Sequence, residues 1–394
     1  MTRPLKLAVV AGEVSGDLLG ADLVAALRRR VPDDVVLVGI GGEALQAQGL
    51  VSLFDYSELS IMGFSQVLAK LPKLIARIRQ TAAAIVAAKP DLLVIIDSPD
   101  FTHRVARIVR RQMPELPIVD YVCPSVWAWK EERAPRMRGY VDNVLAVLPF
   151  EPEVMARLKG PATTYVGHRL ASDPHVAAVR AAQVGKTAPQ LGTAVAWTCL
   201  LLPGSRGGEI TRLLPVYRQV VDELCASNVP FSFRLPTVPR QEALVRQMIA
   251  DWPTVPEVTV SAEDKWRAFQ AADVAIAASG TVLLELALAR VPVVSCYKLD
   301  WIARLMTRKI KTWTGALPNL IADYAIIPEY LDEVVRPGSL ARWAIRLSHD
   351  TIQRRAMLEG FDLVHARMQD ARAPGDKAAD VVVDLLQRKK PGLL

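Results

Sequence analysis

Residues 195–210, VAWTCLLLPGSRGGEI, hold an apolar run, a turn of proline, glycine, serine and arginine, and the opening of an amphipathic pattern. A short apolar run bounded by turn residues reads as a buried strand, and the apolar spacing over 210–226 reads as a helix. A strand that enters a helix through a glycine-rich turn is the repeating unit of a parallel sheet covered on both faces. The glycines let the backbone approach an anion. The helix N-terminus offers free N–H groups, and Arg206 adds a fixed cation suited to a diphosphate.

The same alternation continues on both sides. Downstream, apolar runs lie at 231–235, 258–260, 274–277 and 293–296, with helical patterns between them, including 281–289. Upstream, the runs are 7–11, 35–39, 92–96, 118–122, 144–147 and 164–166, interleaved with helical patterns at 18–30, 64–88 and 103–112. The stretch 172–193 is rich in alanine, glutamine, glycine and proline, lacks a strand pattern and reads as a linker. The fold class is therefore α/β, with two doubly wound Rossmann-like domains facing a central cleft and a helical C-terminal segment. The expected boundaries are 1–172 for the first domain, 173–194 for the linker, 195–338 for the second domain, and 339–394 for helices that pack back across the domains. A length of 394 residues suits two domains.

Composition narrows the function. Hydrophobic residues make up 51% of the chain and charged residues 23%, enough to bury two cores and too apolar for extended disorder. The net charge of +7 points to an anionic partner, a phosphorylated substrate or an acidic membrane. No basic–aromatic interleaving or nucleic-acid motif accompanies it, so nucleic acid ranks last and no nucleic-acid partner is expected. Cys123, Cys199, Cys225 and Cys296 are far apart and form no Cys-x-x-Cys pair, as in a reduced protein without a disulfide or zinc framework. The 7–11 run is too short and wrongly flanked for a signal peptide, and no apolar stretch reaches the ~18 residues that span a bilayer. The expected location is the cytoplasm, in soluble or peripheral form.

Four further loops follow strands. Ala278-Ser279-Gly280-Thr281 opens a helix that carries Glu285. Its hydroxyls and N–H groups suit phosphate and the carboxylate suits a ribose, although Ser or Thr before a helix is also an ordinary cap. With Gly204, Ser205, Arg206 and Glu209 of the first loop it makes a nucleotide diphosphate site. Gly12-Glu13-Val14-Ser15-Gly16-Asp17 is small, polar and acidic, and puts Glu13, Ser15 and Asp17 on the acceptor side of the cleft. It is not a dinucleotide fingerprint, because Gly-x-Gly-x-x-Gly is absent. Asp97-Ser98-Pro99-Asp100-Phe101 places two carboxylates at a strand end, suited to general-base work, with Asp100 first and Asp97 as the alternate; either is also placed to cap the next helix. In Pro124-Ser125-Val126-Trp127-Ala128-Trp129, the two tryptophans serve as a sugar or acyl platform or bury into the core.

Two stretches mix cations with large apolar residues: 61–79, with Met62, Phe64, Lys70, Lys73 and Arg77, and 301–313, with Trp301, Arg304 and Arg308. Both fit interfacial helices against anionic lipid, and equally core helices with a solvated face.

Together these motifs resemble the lipid-A-disaccharide synthases over nearly the whole chain. The resemblance rests on the 12–17, 97–101 and 124–129 strings, on Met62-Gly63-Phe64, on the 202–210 and 279–285 loops, and on Leu317-Pro318-Asn319-Leu320 with Pro328-Glu329. It implies a two-Rossmann-domain glycosyltransferase that moves 2,3-diacylglucosamine from UDP to 2,3-diacylglucosamine 1-phosphate, inverting the anomeric carbon. It also implies diacylated glucosamine lipids as partners, peripheral contact with the inner membrane, and Asn319 and Glu329 in the cleft wall. The UDP-sugar is then a substrate and no cofactor is expected; monomer and homodimer both suit the sequence. Gln66, Thr102 and Arg169 depart from residues frequent in that family, which bears on how acyl and sugar groups are seated. Two rival readings share the architecture, a UDP-N-acetylglucosamine 2-epimerase and a non-catalytic nucleotide- or lipid-binding module. The tryptophan string and the basic–apolar stretches speak against the first, and the paired carboxylates against the second.

The chain lacks the Asp-x-Asp pair that binds metal in the other main glycosyltransferase architecture. With Arg206 and a helix N-terminus to meet the leaving diphosphate, turnover should survive EDTA. Loss of activity in the chelator with recovery on added magnesium would overturn that account of charge relief.

Overall fold

The computed structural model describes residues 3–31, 34–59, 64–186, 196–300, 304 and 310–393, the side chains of 64–71 excepted. Met62, Trp301 and Arg308 lie outside the described residues, as do the side chains of Phe64, Gln66 and Lys70. The chain forms two compact units, Met1–Arg169 with Asp370–Leu394, and Leu170–Gln369.

The first unit is built on β1 (Leu5–Ala11), β2 (Val35–Ile40), β3 (Leu92–Ile96), β4 (Ile118–Tyr121), β5 (Asn143–Ala146) and β6 (Ala162–Tyr165). They form one sheet in the order β2-β1-β3-β4-β5-β6, parallel throughout. The central strands β1 and β3 pair Leu7 with Leu92 and Val9 with Val94. All five residues of β3, LLVII, are buried, as a strand covered by helices on both faces requires.

The second unit carries β7 (Trp197–Leu202), β8 (Phe231–Pro236), β9 (Glu257–Thr259), β10 (Val274–Ala278), β11 (Val293–Tyr297) and β12 (Glu329–Leu331). Their order is β12-β11-β10-β7-β8-β9, again parallel. In both sheets the direction of winding reverses beside the first strand, between β1 and β3 and between β7 and β10. Connections that leave these neighbours for opposite faces open a crevice at the strand carboxyl ends, where ligands of such sheets bind. The short edge strand β12 is absent from the sequence reading, which saw only three residues after Pro328, too few for a pattern.

Two expected boundaries are corrected. Half of the supposed linker is a helix, Pro174–Val184, capped by the Asp173 carboxylate on the N–H groups of His175 and Val176. Aspartate followed by proline at the first helical position is a helix start, and the alanine- and glutamine-rich run behind it favours helix. The helix belongs to the second unit, where the Gln183 amide donates to the carbonyls of Phe269, Gln270 and Ala272. The C-terminal helical segment begins at Pro337 and is shared out. Helices Pro337–Ser348 and Ile352–Met368 complete the second unit, whereas Pro374–Lys389 belongs to the first.

That last helix packs along Val14–Arg28. Arg29 reaches Asp376 at 2.8 Å, and Arg30 reaches Asp376 at 2.8 Å and Asp380 at 2.6 Å. The backbones come close at Gly375, where an added Cβ would lie 2.9 Å from the Asp22 carbonyl oxygen. Gly375→Val should therefore lower stability by about 1–3 kcal/mol through overpacking. Thermal unfolding checks this, and an unchanged melting temperature would mean that the helix is not held there.

Candidate active site

At the switch point of the second sheet, one loop leaves β7 at Leu202 and enters the helix Gly207–Cys225. The other leaves β10 at Ala278 and enters the helix Thr281–Leu288. With the turn after β8 and the segment after β9 they enclose a cavity of about 680 Å³, within the range of ~300–1,000 Å³ usual for small-molecule sites. Gly204, Ser205, Arg206, Glu209, Ser279, Gly280, Thr281 and Glu285 all line it, so the sequence-predicted nucleotide residues come together.

Glu209 shapes the first loop. Its buried carboxylate accepts the Arg206 N–H at 3.3 Å and the Tyr297 hydroxyl at 3.2 Å, and lies 3.1 Å from the Arg206 guanidinium. Gly204 turns there with φ +100°, and a Cβ on it would stand 2.3 Å from Glu209 Oε2. Glu209 thus positions the loop, while the Arg206 side chain, 71% exposed, is presented at the cavity. In the second loop the Ser279 hydroxyl donates to the Gly315 carbonyl at 3.3 Å.

Lys265, which the sequence reading missed, also lines the cavity and pairs with Glu285 at 2.7 Å. It sits on the helix Ala262–Ala271, where a lone lysine carries no motif. Its ammonium lies 4.6 Å from the Trp266 ring centre.

Asn319 and Glu329 hold each other. The buried Asn319 amide donates to the Ile327 carbonyl, Thr314 Oγ1 and Glu329, and its oxygen accepts the N–H groups of Ile326 and Ile327. Glu329 accepts from Thr314 and from the Gly315 N–H. Asn319 therefore fixes local structure and is not part of an open wall. Glu329, with Ser279, lines a smaller pocket of about 180 Å³ in the same unit.

In the first unit the switch point lies between the loops after β1 and β3. Glu13 and Ser15 are exposed there. Asp17 is not: it is buried, and its carboxylate accepts the N–H groups of Gly42, Ala44 and Leu45. It caps the next helix rather than lining a site. After β3, Asp97 and Ser98 both take left-handed backbone, φ +51° and +44°, uncommon for residues with a side chain and a store of local strain. Thr102 braces the turn, its hydroxyl donating to the Asp97 carbonyl at 2.7 Å. Burial, and then the nearby Asp120, raise the Asp97 carboxyl above its ordinary range, against a hydrogen bond from the Ser98 N–H that lowers it. Asp100 differs: its side chain is 75% exposed and pairs with Arg133 at 3.2 Å.

Beneath this turn lies a buried group that the sequence reading passed over. His103 Nε2 is 3.0 Å from Asp120 Oδ2 and His103 Nδ1 is 3.0 Å from the Tyr140 hydroxyl. The signal was Asp120, an acid inside the apolar strand β4. Trp127 turns inward, its indole donating to Glu151 at 3.4 Å and meeting Phe150 edge-on. Trp129 lies under the Lys130 ammonium at 4.0 Å.

Three cations of the two basic–apolar stretches have acidic partners. Lys73 and Arg77 pair with Glu58, and Arg304 pairs with Asp332 and Glu333. These three charges are thus paired within the protein.

Two Rossmann-like units with a phosphate-type loop at the second switch point define a class, the nucleotide-sugar glycosyltransferases and proteins of that fold. The structure of the glycotransferase of kitacinnamycin matches with a TM-score of 0.62 at 16% identity, covering 97% of this chain and 99% of that one. A UDP-GlcNAc 2-epimerase from Neisseria meningitidis matches with a TM-score of 0.57 at 12% identity, covering 98% and 100%. These likenesses are of fold. A sequence model of the lipid-A-disaccharide synthetase family matches residues 7–373. The lipid-A-disaccharide synthase of Nitrobacter winogradskyi is 46% identical over 98% of this chain and 96% of its own length. The chain belongs to the lipid-A-disaccharide synthase family and is a glycosyltransferase of lipid A biosynthesis. The epimerase reading is not favoured.

Glu151 gives the first unit a pH signature. Burial lifts its carboxyl from 4.5 to about 8, against hydrogen bonds from Leu148, Trp127 and Val147 that lower it. The fold then holds a proton that the unfolded chain has released, so stability falls as pH rises from about 4.5 to about 8. Glu151→Gln should flatten that part of the stability–pH curve of denaturant unfolding. A curve of unchanged slope would show that Glu151 is ionised in the folded protein.

Proposed function

We propose that the chain transfers 2,3-diacylglucosamine from its UDP derivative to 2,3-diacylglucosamine 1-phosphate, with the donor nucleotide in the cavity of the second unit. The observation that carries this reading is that cavity, where the Gly204–Arg206 loop, the Ser279–Thr281 loop and the Lys265–Glu285 pair converge at one switch point. Arg206 and the N-terminus of the helix behind it take the diphosphate, with Ser279 and Thr281 as further donors. Glu285, held by Lys265, accepts from the ribose hydroxyls.

The acceptor 6-hydroxyl attacks the anomeric carbon, the bond to the diphosphate oxygen breaks, and the electron pair leaves on UDP. The hydroxyl proton goes to a base in the first unit, and we assign that role to Asp97 ahead of Asp100. Asp97 is half-buried, strained and raised in pKa, as a base working near neutrality should be. Asp100 is solvated and already neutralised by Arg133. Charge relief on UDP is assigned to the cations and helix N-terminus without a metal ion. Peripheral association with the cytoplasmic face of the inner membrane fits a lipid substrate, a net charge of +7, and the absence of a helix among the described residues long and apolar enough to cross a membrane.

Asp97→Asn should cut kcat by about 10²–10⁴-fold while UDP affinity stays put, and Asp100→Asn should be mild. A UDP-release assay with both diacylated sugars, beside UDP titration of the same variants, decides. A larger kcat defect in Asp100→Asn would return the base to that residue.

A further inference from the structure

A second pocket in the first unit, about 260 Å³, lies between the helix Pro99–Gln112 and the segment 130–136. Five cations line it, Arg104, Arg107, Lys130, Arg133 and Arg136, against two carboxylates, Asp100 and Glu132. Asp100 is taken up by Arg133. Arg107 is fixed over the Tyr140 ring, 4.7 Å from its centre, with a hydrogen bond of 3.2 Å to the hydroxyl. Among the described residues no carboxylate comes within ion-pair distance of Arg104, Arg107, Lys130 or Arg136. Like charges gathered round a concavity repel one another, and an anion bound there removes that cost.

Beside the pocket runs a groove of about 240 Å³ whose apolar residues are Ile75, Ile78 and Ile108. Arg79 and Arg111 complete its lining, and Arg104 and Arg107 line both cavities, so one pair of arginines joins a cationic pocket to a groove that carries three isoleucines. The ligand that matches both is an amphiphile with a compact, highly charged head. A phosphate monoester carries about −1.5 to −2 charges at neutral pH and three terminal oxygens, which suits several guanidinium forks. A phosphodiester headgroup carries one charge and suits them less.

We infer that this pocket binds the phosphate monoester of the acceptor glycolipid, with one of its hydrocarbon chains in the adjoining groove. The inference rests on the acceptor proposed above. It makes Arg104 and Arg136 specificity determinants that recognise the phosphate at the end of the sugar remote from the reacting hydroxyl.

The test is the Arg104→Gln/Arg136→Gln double variant, since among the described residues neither side chain has a hydrogen-bond or ion-pair partner. Calorimetric titration in detergent compares 2,3-diacylglucosamine 1-phosphate with the same glycolipid lacking the phosphate. The wild-type protein should prefer the phosphorylated lipid by roughly tenfold or more, and the variant should lose that preference with UDP affinity and melting temperature unchanged. A preference that survives in the variant, or equal weakening toward both lipids, overturns the inference. So does reduced co-sedimentation with phosphatidylglycerol vesicles in a variant that still prefers the phosphorylated acceptor, which would assign the pocket to the membrane. Turnover of the wild-type enzyme is measured separately. Its absence would sink the proposed reaction, while the binding comparison still decides the pocket.

Discussion

The contact between Glu209 and the turn at Gly204 governs the second unit. A buried carboxylate is costly unless hydrogen bonds satisfy it. Here it takes the Arg206 N–H and the Tyr297 hydroxyl, with the Arg206 guanidinium alongside. The turn must pass so close to it that no side chain fits at residue 204. These two conditions bend the chain from β7 into its helix at one geometry. They aim the helix N-terminus at the cavity and leave the Arg206 side chain in solvent. The second loop, the Lys265–Glu285 pair and the rest of the lining are arranged around that fixed edge.

The first unit solves a different electrostatic problem with the same sheet plan. Its carboxylates Asp97 and Glu151 are held above their ordinary range, both chiefly by burial and both with Asp120 adding to the effect. The second unit instead places its charged groups in compensated pairs, Arg206 with Glu209 and Lys265 with Glu285. One unit is disposed to take up a proton and the other to stabilise developing negative charge. A displacement reaction with a diphosphate leaving group requires both tasks.

Much of this was legible in the sequence because parallel strands buried on both faces are written as plain apolar runs, and β3 and β10 read that way residue by residue. Loops after such strands, rich in glycine, serine and charge, marked a set of residues that the fold brings together around one cavity. What sequence could not separate was a polar side chain facing a ligand from one facing the backbone. Asp17, Glu209 and Asn319 all looked like site residues, yet each satisfies N–H groups of its own neighbourhood. Lys265 and His103 went unread for the opposite reason, since their partners, Glu285 and Asp120, sit on other elements and form no local motif with them. The helix at Pro174–Val184 was readable from its Asp-Pro start, but composition obscured it.

The return of Pro374–Lys389 to the first unit has a consequence for how the chain comes into being. A ribosome extends a chain at about 5–20 residues per second, and domains ordinarily fold in order from the N-terminus. Here the second unit is one continuous span, Leu170–Gln369, whereas the first needs residues from both ends of the sequence. The later-synthesised unit is thus the first to have all its parts. Until the final helix emerges, the face of Val14–Arg28 that it covers stands open to water, with Arg30 lacking Asp376 and Asp380. During that interval the nascent protein has a complete second unit and an unfinished first unit with an exposed helix face, which makes the first unit the vulnerable half during synthesis.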